Sequence, residues 1–468
     1  MLLILIILLI LLLSSNSMLL LKSSNDIITI KGKDSVRLLQ ALTTSDFDGL
    51  GSTLLNSNQN CLVCPTTFVN VKGHLLYHCN CLVRYDNNDD DYIIKLIIDS
   101  NQGDSLRNYF NKYIFPLDRV KVVNEKKKGT LITALYNRND NNNYRNTFDN
   151  NLKKIFKRII GDDLSMMKPD ESWKGYKSAS VYESESEYLY SWLGNSFVSI
   201  DNKEPEDVYD ENLKQYVDGF TIIGESENKI EQLVKLLEAE GLTVPLEQER
   251  VWDSIRLATG LPSSFYEIGS PMNATALELG MMHSISFGKG CYTGQESLAH
   301  AITASGPQSS DGRRLNAVRR HLVGLKFKDT SNSLKVTRLS DIIDDTNESI
   351  GIVTTSPITS TGIDTIDKLA QGKMLGLVKS SLAVNNQNLF VVATNDKDEK
   401  ENIPVKVELL SYPRFDAFKS SSSPPVVKLP NKGRSIEVPA NKESVDVSPE
   451  AIAKAKKLEE MAAKVLIS

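Results

Sequence analysis

The chain has few cysteines for its length, five in 468 residues. So sparse a set cannot form the disulfide framework of a small secreted scaffold, and an odd number favours at least one free thiol in a reducing compartment. No excess of basic charge is present either. The formal net charge is -5, and no basic stripe with interleaved aromatics occurs, so nucleic-acid binding is not expected. No internal repeat is found. The N-terminus lacks what a targeting segment would carry. Leu2 to Leu13 is an unbroken apolar run of twelve residues, and no charge precedes Lys22. That excludes the positive start of a secretory signal and the Arg-rich amphipathic pattern of a mitochondrial leader. Twelve residues also fall short of the roughly twenty that span a bilayer. Residues 1–22 are therefore set aside as an apolar leader, with Met18 as an alternative start, and no stable membrane association is expected.

What is present is an ordinary globular composition, 41% apolar and 24% charged, with length for about two to four domains. From Ile27 the pattern becomes regular. "IITIKGKDSVRLLQALTTSDF" reads as a strand, a turn and a helix capped by Asp34, burying Val36, Leu39 and Leu42. "CLVCPTTFVNVKGHLLYHCNCLVRYD" reads as a hairpin turning at Lys72-Gly73. "DYIIKLIID" is a strand, "DSLRNYFNKYIF" a helix and "RVKVVNE" a strand. Asn139 to Asn151 is an asparagine-rich loop. "NKIEQLVKLLEAEGL" is a helix ended by Gly241, and "LEQERVWDSIRLATGLP" a second, stopped at Gly260-Leu261-Pro262. "HSISF" is a short strand, followed by a glycine-rich turn and the helix "GQESLAHAI". From Leu322 short strands with turn signals predict an all-β barrel, and Lys419 onward a linker and a short helix. The predicted organisation is a leader (1–22), a first α+β domain with the Asn-rich insert (23–155), a second α+β domain (156–318), a β-barrel (319–415) and a tail (416–468).

Chemistry concentrates in "FGKGCYTGQES", Phe287 to Ser297. Strand, Gly-rich turn and helix start set outward-facing N–H groups near Cys291, and Lys289 brings a cation close; both favour thiolate. Such a sulfur serves as nucleophile, redox sensor or soft metal ligand. His283 and His300 flank the turn, but no spacing sets either against the sulfur as a base. One thiolate holds neither zinc nor an iron–sulfur cluster, so any metal at Cys291 needs ligands from elsewhere. The other cysteines form Cys61-x2-Cys64 and Cys79-x-Cys81. In a hairpin turning at Lys72-Gly73, Cys64 opposes Cys81 with Cys79 on the same face, and Cys61 points away. Three could meet, not four, and packing as small apolar residues is the expected role.

"KGCYTGQE" resembles the signature of the YgfZ/GcvT-like folate-binding family, whose eukaryotic branch is a mitochondrial iron–sulfur assembly factor. Support comes from "IKGKDSVRLLQALTTSD" with its Leu-Gln-x-Leu-Thr-x-x-Asp pattern, from "FVNVKGHLLY", "RLATGLP", "SIGIVTTS" and "MLGLVKSSL". The likeness covers about residues 27–130 and 215–400. The chain departs from the family pattern in His74 and His300, both usually Arg, and in a longer segment, Thr303 to Leu315, after the motif.

The resemblance implies a GcvT-like α+β fold: two ferredoxin-like domains around a central channel plus a C-terminal β-barrel. It implies tetrahydrofolate binding, a mitochondrial matrix location and action late in 4Fe-4S protein maturation with an A-type carrier as partner. Cys291 would supply one ligand to a 2Fe-2S cluster shared with that carrier. Lys289, Gly290, Tyr292, Gly294, Gln295 and Glu296 would form the surrounding binding motif: Lys289 stabilising thiolate, Gly290 and Gly294 permitting the turn and a close approach, Tyr292 packing beside the sulfur, Gln295 and Glu296 bracing the loop. The alternative is a tetrahydrofolate-dependent aminomethyl-type transferase. Such an enzyme needs a carboxylate poised over the folate and has no use for an exposed cysteine.

Overall fold

A computed structural model describes residues 18–410, apart from 57–60, 87–90, 137–176, 179, 185–186, 194–217, 225–226, 240–241, 282–283, 287, 304–317, 329–335, 359–366, 368–369, 395–399 and 409. The chain divides into two units, Met1–Pro425 and Val426–Ser468, and all described residues belong to the first. The Asn-rich insert, the C-terminal linker and the tail helix lie outside the described residues.

The elements run β1 (Met18–Lys31), α1 (Ser35–Leu42), α2 (Phe47–Asn56), β2 (Cys61–Val69), β3 (Leu75–Asp86), β4 (Asp91–Asp99), α3 (Gly103–Asn111) and β5 (Lys121–Tyr136). Then come β6 (Lys177–Ser178), β7 (Ser180–Ser184), β8 (Glu187–Leu193), β9 (Asp218–Gly224), α4 (Glu227–Ala239), β10 (Leu242–Thr243), α5 (Gln248–Thr259) and α6 (Gln295–Thr303). The last six are β11 (Arg320–Phe327), β12 (Asp341–Ile343), β13 (Ser349–Thr355), β14 (Lys373–Lys379), β15 (Asn388–Thr394) and β16 (Lys400–Glu408). No helix among the described residues is long and apolar enough to cross a membrane.

The two α+β regions share one sheet, ordered β6-β2-β3-β4-β1-β5-β9-β8-β7, with β10 beside β1. β11 to β16 close into a six-stranded barrel, as the C-terminal strand pattern predicts. β1 is longer than expected. Leu19, Leu20 and Leu21, set aside with the leader, are buried in it, and its first half pairs with β5 in register Leu19↔Leu135 to Asp26↔Lys128. Leu19 to Leu21 thus belong to the strand, because beside β5 they bury more apolar surface than an exposed leader could.

One sheet face carries the helices. Leu39 and Leu42 of α1, Phe47, Leu50 and Leu54 of α2, and Leu106 and Phe110 of α3 pack there on Ile28, Ile30, Cys64, Phe68, Cys81 and Leu96. Asp34 does not cap α1. Its carboxylate instead accepts from the Arg119 backbone N–H (3.0 Å) and Nε (3.1 Å), which holds its pKa below the usual range. The β2–β3 turn also differs from expectation. It is a three-residue loop, Val71-Lys72-Gly73, because the Asn70 N–H donates to His74 O and the Gly73 N–H to Asn70 O. A register shift at Phe68/Val69 absorbs the extra residue, so Cys64 still faces Cys81. Ser284 to Ser286, within the expected strand "HSISF", are not in a strand.

Candidate functional site

The cysteine motif is built onto the loop that follows α1. Gln40 organises that loop. Its Nε2 donates to Asp46 Oδ1 (3.0 Å) and its Oε1 accepts from the Phe47 N–H (2.7 Å), while Asp46 Oδ1 accepts from the Gly49 N–H (3.2 Å) at the start of α2. These bonds turn the carbonyls of residues 43–45 toward the motif. Thr44 takes three contacts across the chain: its backbone carbonyl accepts from the Ser286 N–H, and its hydroxyl meets Ser284 O and Thr67 Oγ1.

Lys289 then enters from the motif side. Its side chain is 7% exposed, and Nζ donates to Thr43 O (2.8 Å) and Ser45 O (2.7 Å). The ammonium lies 4.8 Å from the Tyr292 ring centroid. Thr43 is the C-terminal cap of α1, where a cation is favoured. Burial pushes the Lys289 pKa down to about 8, with the nearby Asp46 and Asp48 carboxylates opposing the shift. The cation expected beside the thiol is thus engaged by two carbonyls, more than 240 residues away in sequence. Tyr292 is half-buried against an apolar cluster that includes Val69, Leu75, Ile285 and Leu298, and burial pushes its phenol up to about 12.

The two motif glycines have different tasks. Gly294 has φ +77°, and a Cβ there would lie 2.4 Å from Asn70 O. Only glycine fits, because the motif abuts the β2–β3 loop. Ser297 completes that joint by donating from Oγ to Val71 O (3.1 Å). At Gly290, and at Gly288, a Cβ would meet nothing within 4 Å. Both are exposed, as is the free Cys291. The face around the sulfur is therefore open. Gln295 is half-buried and Glu296 exposed, and neither side chain bonds another described residue. The bracing expected of them is made by Lys289 and by the Thr293 N–H, which donates to Ala41 O (3.1 Å). His283 lies outside the described residues, as does the His300 side chain.

Among the described residues no group of three His, Cys, Asp or Glu side chains is arranged to hold a metal. Cys64, Cys79 and Cys81 lie in the helix-side core, and Cys61 on the other face, as the strand alternation predicts. Burial pushes Cys61 up to about 12 and holds Cys79 and Cys81 well above the ordinary range, so these thiols stay protonated. Cys291 is the exposed one.

A polar layer escapes motif reading. The sheet face away from the helices carries Asn25 and Thr29 of β1, Thr67 of β2, His78 and Asn80 of β3, and Lys95 and the partly buried Asp99 of β4. Burial pushes His78 down to about 4, so it is neutral near pH 7, and raises Asp99. The signal was available: alternation in "DYIIKLIID" sets Lys95 on the face opposite Ile94 and Leu96. "RLATGLP" proves to be scaffold. Arg256, 1% exposed, donates to Glu267 Oε2 (3.1 Å) and Thr355 Oγ1 (2.9 Å), joining α5 to the barrel strand β13. Gly260, at φ +82°, packs against Leu410.

No family model matches the chain. Over 89 residues it is 35% identical to a chloroplastic protein of Arabidopsis thaliana named as a putative transferase; the match covers 19% of this chain and 19% of that protein. Among solved structures it resembles the glycine cleavage system aminomethyltransferase T of Bartonella henselae, with a TM-score of 0.55 and 14% identity, over 86% of this chain and 88% of that one. The fold is therefore the GcvT-like α+β fold with a C-terminal barrel, as the motif resemblance implies.

Proposed function

We propose that the protein is a folate-binding member of the GcvT-like family that acts late in 4Fe-4S protein maturation, in the mitochondrial matrix. The observation that carries this reading is an exposed Cys291 on a loop pinned from beneath by Lys289 and opened above by Gly288 and Gly290. A pinned backbone with one free thiol and an uncluttered approach suits a ligand handed to a cluster that a second protein holds. The cluster is cargo. Cys291 supplies one thiolate to a 2Fe-2S cluster, and an A-type carrier supplies the others, since the described residues offer no second set. Location in a reducing compartment fits five unpaired cysteines.

Tetrahydrofolate is the cofactor this reading implies. A buried sheet face mixing apolar and polar side chains fits a flat, polar-edged heterocycle. Thr67, His78 and Lys95 would line it. Folate would supply a one-carbon carrier, and the residues around it bind and orient that carrier. The Bartonella neighbour and the name of the Arabidopsis relative favour a second reading, a tetrahydrofolate-dependent one-carbon transferase. An exposed thiol held this carefully has no task in that chemistry, which ranks it second.

The test uses cells depleted of the protein and resupplied with wild type or Cys291→Ala at matched levels. Aconitase activity and protein lipoylation, which depend on 4Fe-4S enzymes, are compared with a 2Fe-2S enzyme. Failure of Cys291→Ala on the first two alone supports the assembly reading. Full rescue removes it and leaves the transferase.

A further inference from the structure

We infer that the turn joining α3 to β5 is a docking tip for an anionic membrane surface, with Phe115 and Leu117 seated among the lipid headgroups. The turn is Phe115-Pro116-Leu117-Asp118, and two hydrogen bonds close it. The Asp118 N–H donates to Phe115 O (2.9 Å) and the Phe115 N–H to Asp118 Oδ2 (2.8 Å). Pro116 at the second position suits such a turn. Asp118 Oδ1 also accepts from Arg37 Nη2 of α1 (3.0 Å), which ties the turn to that helix. Ile114 and Val120, on either side, pack on the helix-side core. The backbone is thus anchored, yet Phe115 is 69% exposed and Leu117 93%. Tyr113, at 38%, flanks them. A turn that only had to join a helix to a strand would do better with polar residues, because contiguous exposed apolar side chains invite association.

The charge around the tip selects the partner. Lys31, Lys33, Arg37, Lys112, Arg119 and Lys121 are all exposed. Lys31 and Lys121 pair in register where β1 meets β5, and Arg119 holds Asp34 beside Lys33. The carboxylates among them are Asp34, Asp91 and Asp118; Asp34 and Asp118 are ion-paired to arginines, and Asp91 faces Arg119. Positive charge is therefore in surplus here, on a chain whose formal net charge is -5. An apolar tip in a basic collar has the layout of an interfacial anchor: phenylalanine and leucine enter between headgroups while lysine and arginine meet lipid phosphates. A protein partner would have to offer a matching acidic pocket, whereas a fluid bilayer closes around a tip of this size. Two inserted side chains make the contact reversible, in keeping with a chain expected to have no stable membrane association. The tip and the cysteine motif are distinct sites. The tip is fastened near the start of α1, through Asp34 and Arg37, and the motif at its end, through Ala41 and Thr43. The eight residues of α1 set those ends about 12 Å apart.

The experiment is flotation of the full-length protein with vesicles of phosphatidylcholine alone, or of phosphatidylcholine mixed equally with phosphatidylglycerol. It compares wild type, Phe115→Ser combined with Leu117→Ser, and Phe115→Trp, with thermal melts run alongside. Wild type should prefer the mixed vesicles, and the preference should shrink as salt rises. The double serine variant should bind them about tenfold more weakly or worse. Phe115→Trp should bind at least as well as wild type, and all three should melt together. Equal binding by wild type and the double variant assigns lipid binding to the apolar leader and overturns the inference. Equal binding to both kinds of vesicle overturns it as well. A wild type that floats with neither overturns it and leaves the tip to an acidic protein partner. If the double variant melts lower, the tip serves the fold and the inference is overturned, whatever the binding.

Discussion

A lysine ammonium held by two carbonyls and an aromatic ring is a strut, and its protonation state carries a measurable cost. Lys289 titrates near pH 8 in the folded protein, because burial disfavours its charge. An unfolded lysine titrates near pH ~10.4. Between those values the unfolded chain binds more protons, so stability rises with pH through that window. The stability advantage of wild type over Lys289→Met should therefore grow by ~2 kcal/mol from pH 7.5 to pH 10, read as denaturant midpoints. A flat or shrinking difference contradicts the buried ammonium. The glycines divide in the same loop. Gly294→Ala meets a left-handed φ and the Asn70 carbonyl, and should cost at least ~2 kcal/mol. Gly290→Ala meets open space, and should leave stability unchanged within about 0.5 kcal/mol or raise it slightly. Equal losses at both positions would remove the distinction between a turn glycine and an open face.

At the scale of elements, α5 is fastened to the barrel by charge. Arg256 and Glu267 are buried together, and Thr355 Oγ1 donates to Glu267 Oε1 (2.6 Å). Arg256→Met strands a carboxylate and should cost about 3–5 kcal/mol, seen as a lowered thermal midpoint. Adding Glu267→Gln should recover part of that loss, since the stranded charge is then gone. Elements of this size were readable in the chain wherever side-chain parity decides. The hairpin cysteines fell on their predicted faces because the register shift at Phe68/Val69 cancels the one-residue error in the loop, which alone would have set Cys64 opposite Asn80. Asp34 misled for a local reason: a carboxylate before a helix reads as a cap, but Arg119, 85 residues on, offers a bidentate partner. The Lys289 cage was illegible for the same reason at longer range. Its acceptors are backbone carbonyls, which any residue type provides, so the sequence holds no trace of them.

At the scale of the molecule, composition decided the class of each region but not how the regions join. Two α+β stretches read as separate domains prove to share a sheet, because strand order depends on which edges meet and not on which residues face inward. The joint runs through β1. Its N-terminal half pairs with β5 on one side, and Met18 and Leu19 pair with β10 on the other. Leu19 and Leu21 pack on Val251 and Ile255 of α5. Starting the chain at Lys22 would strip three buried leucines, each worth ~1.5–3 kcal/mol, a total of roughly 4–9 kcal/mol. That rivals the ~5–15 kcal/mol that holds a typical domain together. A chain starting at Met18 keeps all three and should melt with the full-length protein. A chain starting at Lys22 should melt far lower or fail to fold, and its β9 amides should exchange faster, since β5 loses half its support on the β1 side. If both shortened chains melt alike, Leu19 to Leu21 contribute nothing to the sheet and belong with the apolar leader. If only the longer survives, the boundary between leader and fold lies between Met18 and Lys22, and Leu19 to Leu21 begin the strand that unites the sheet.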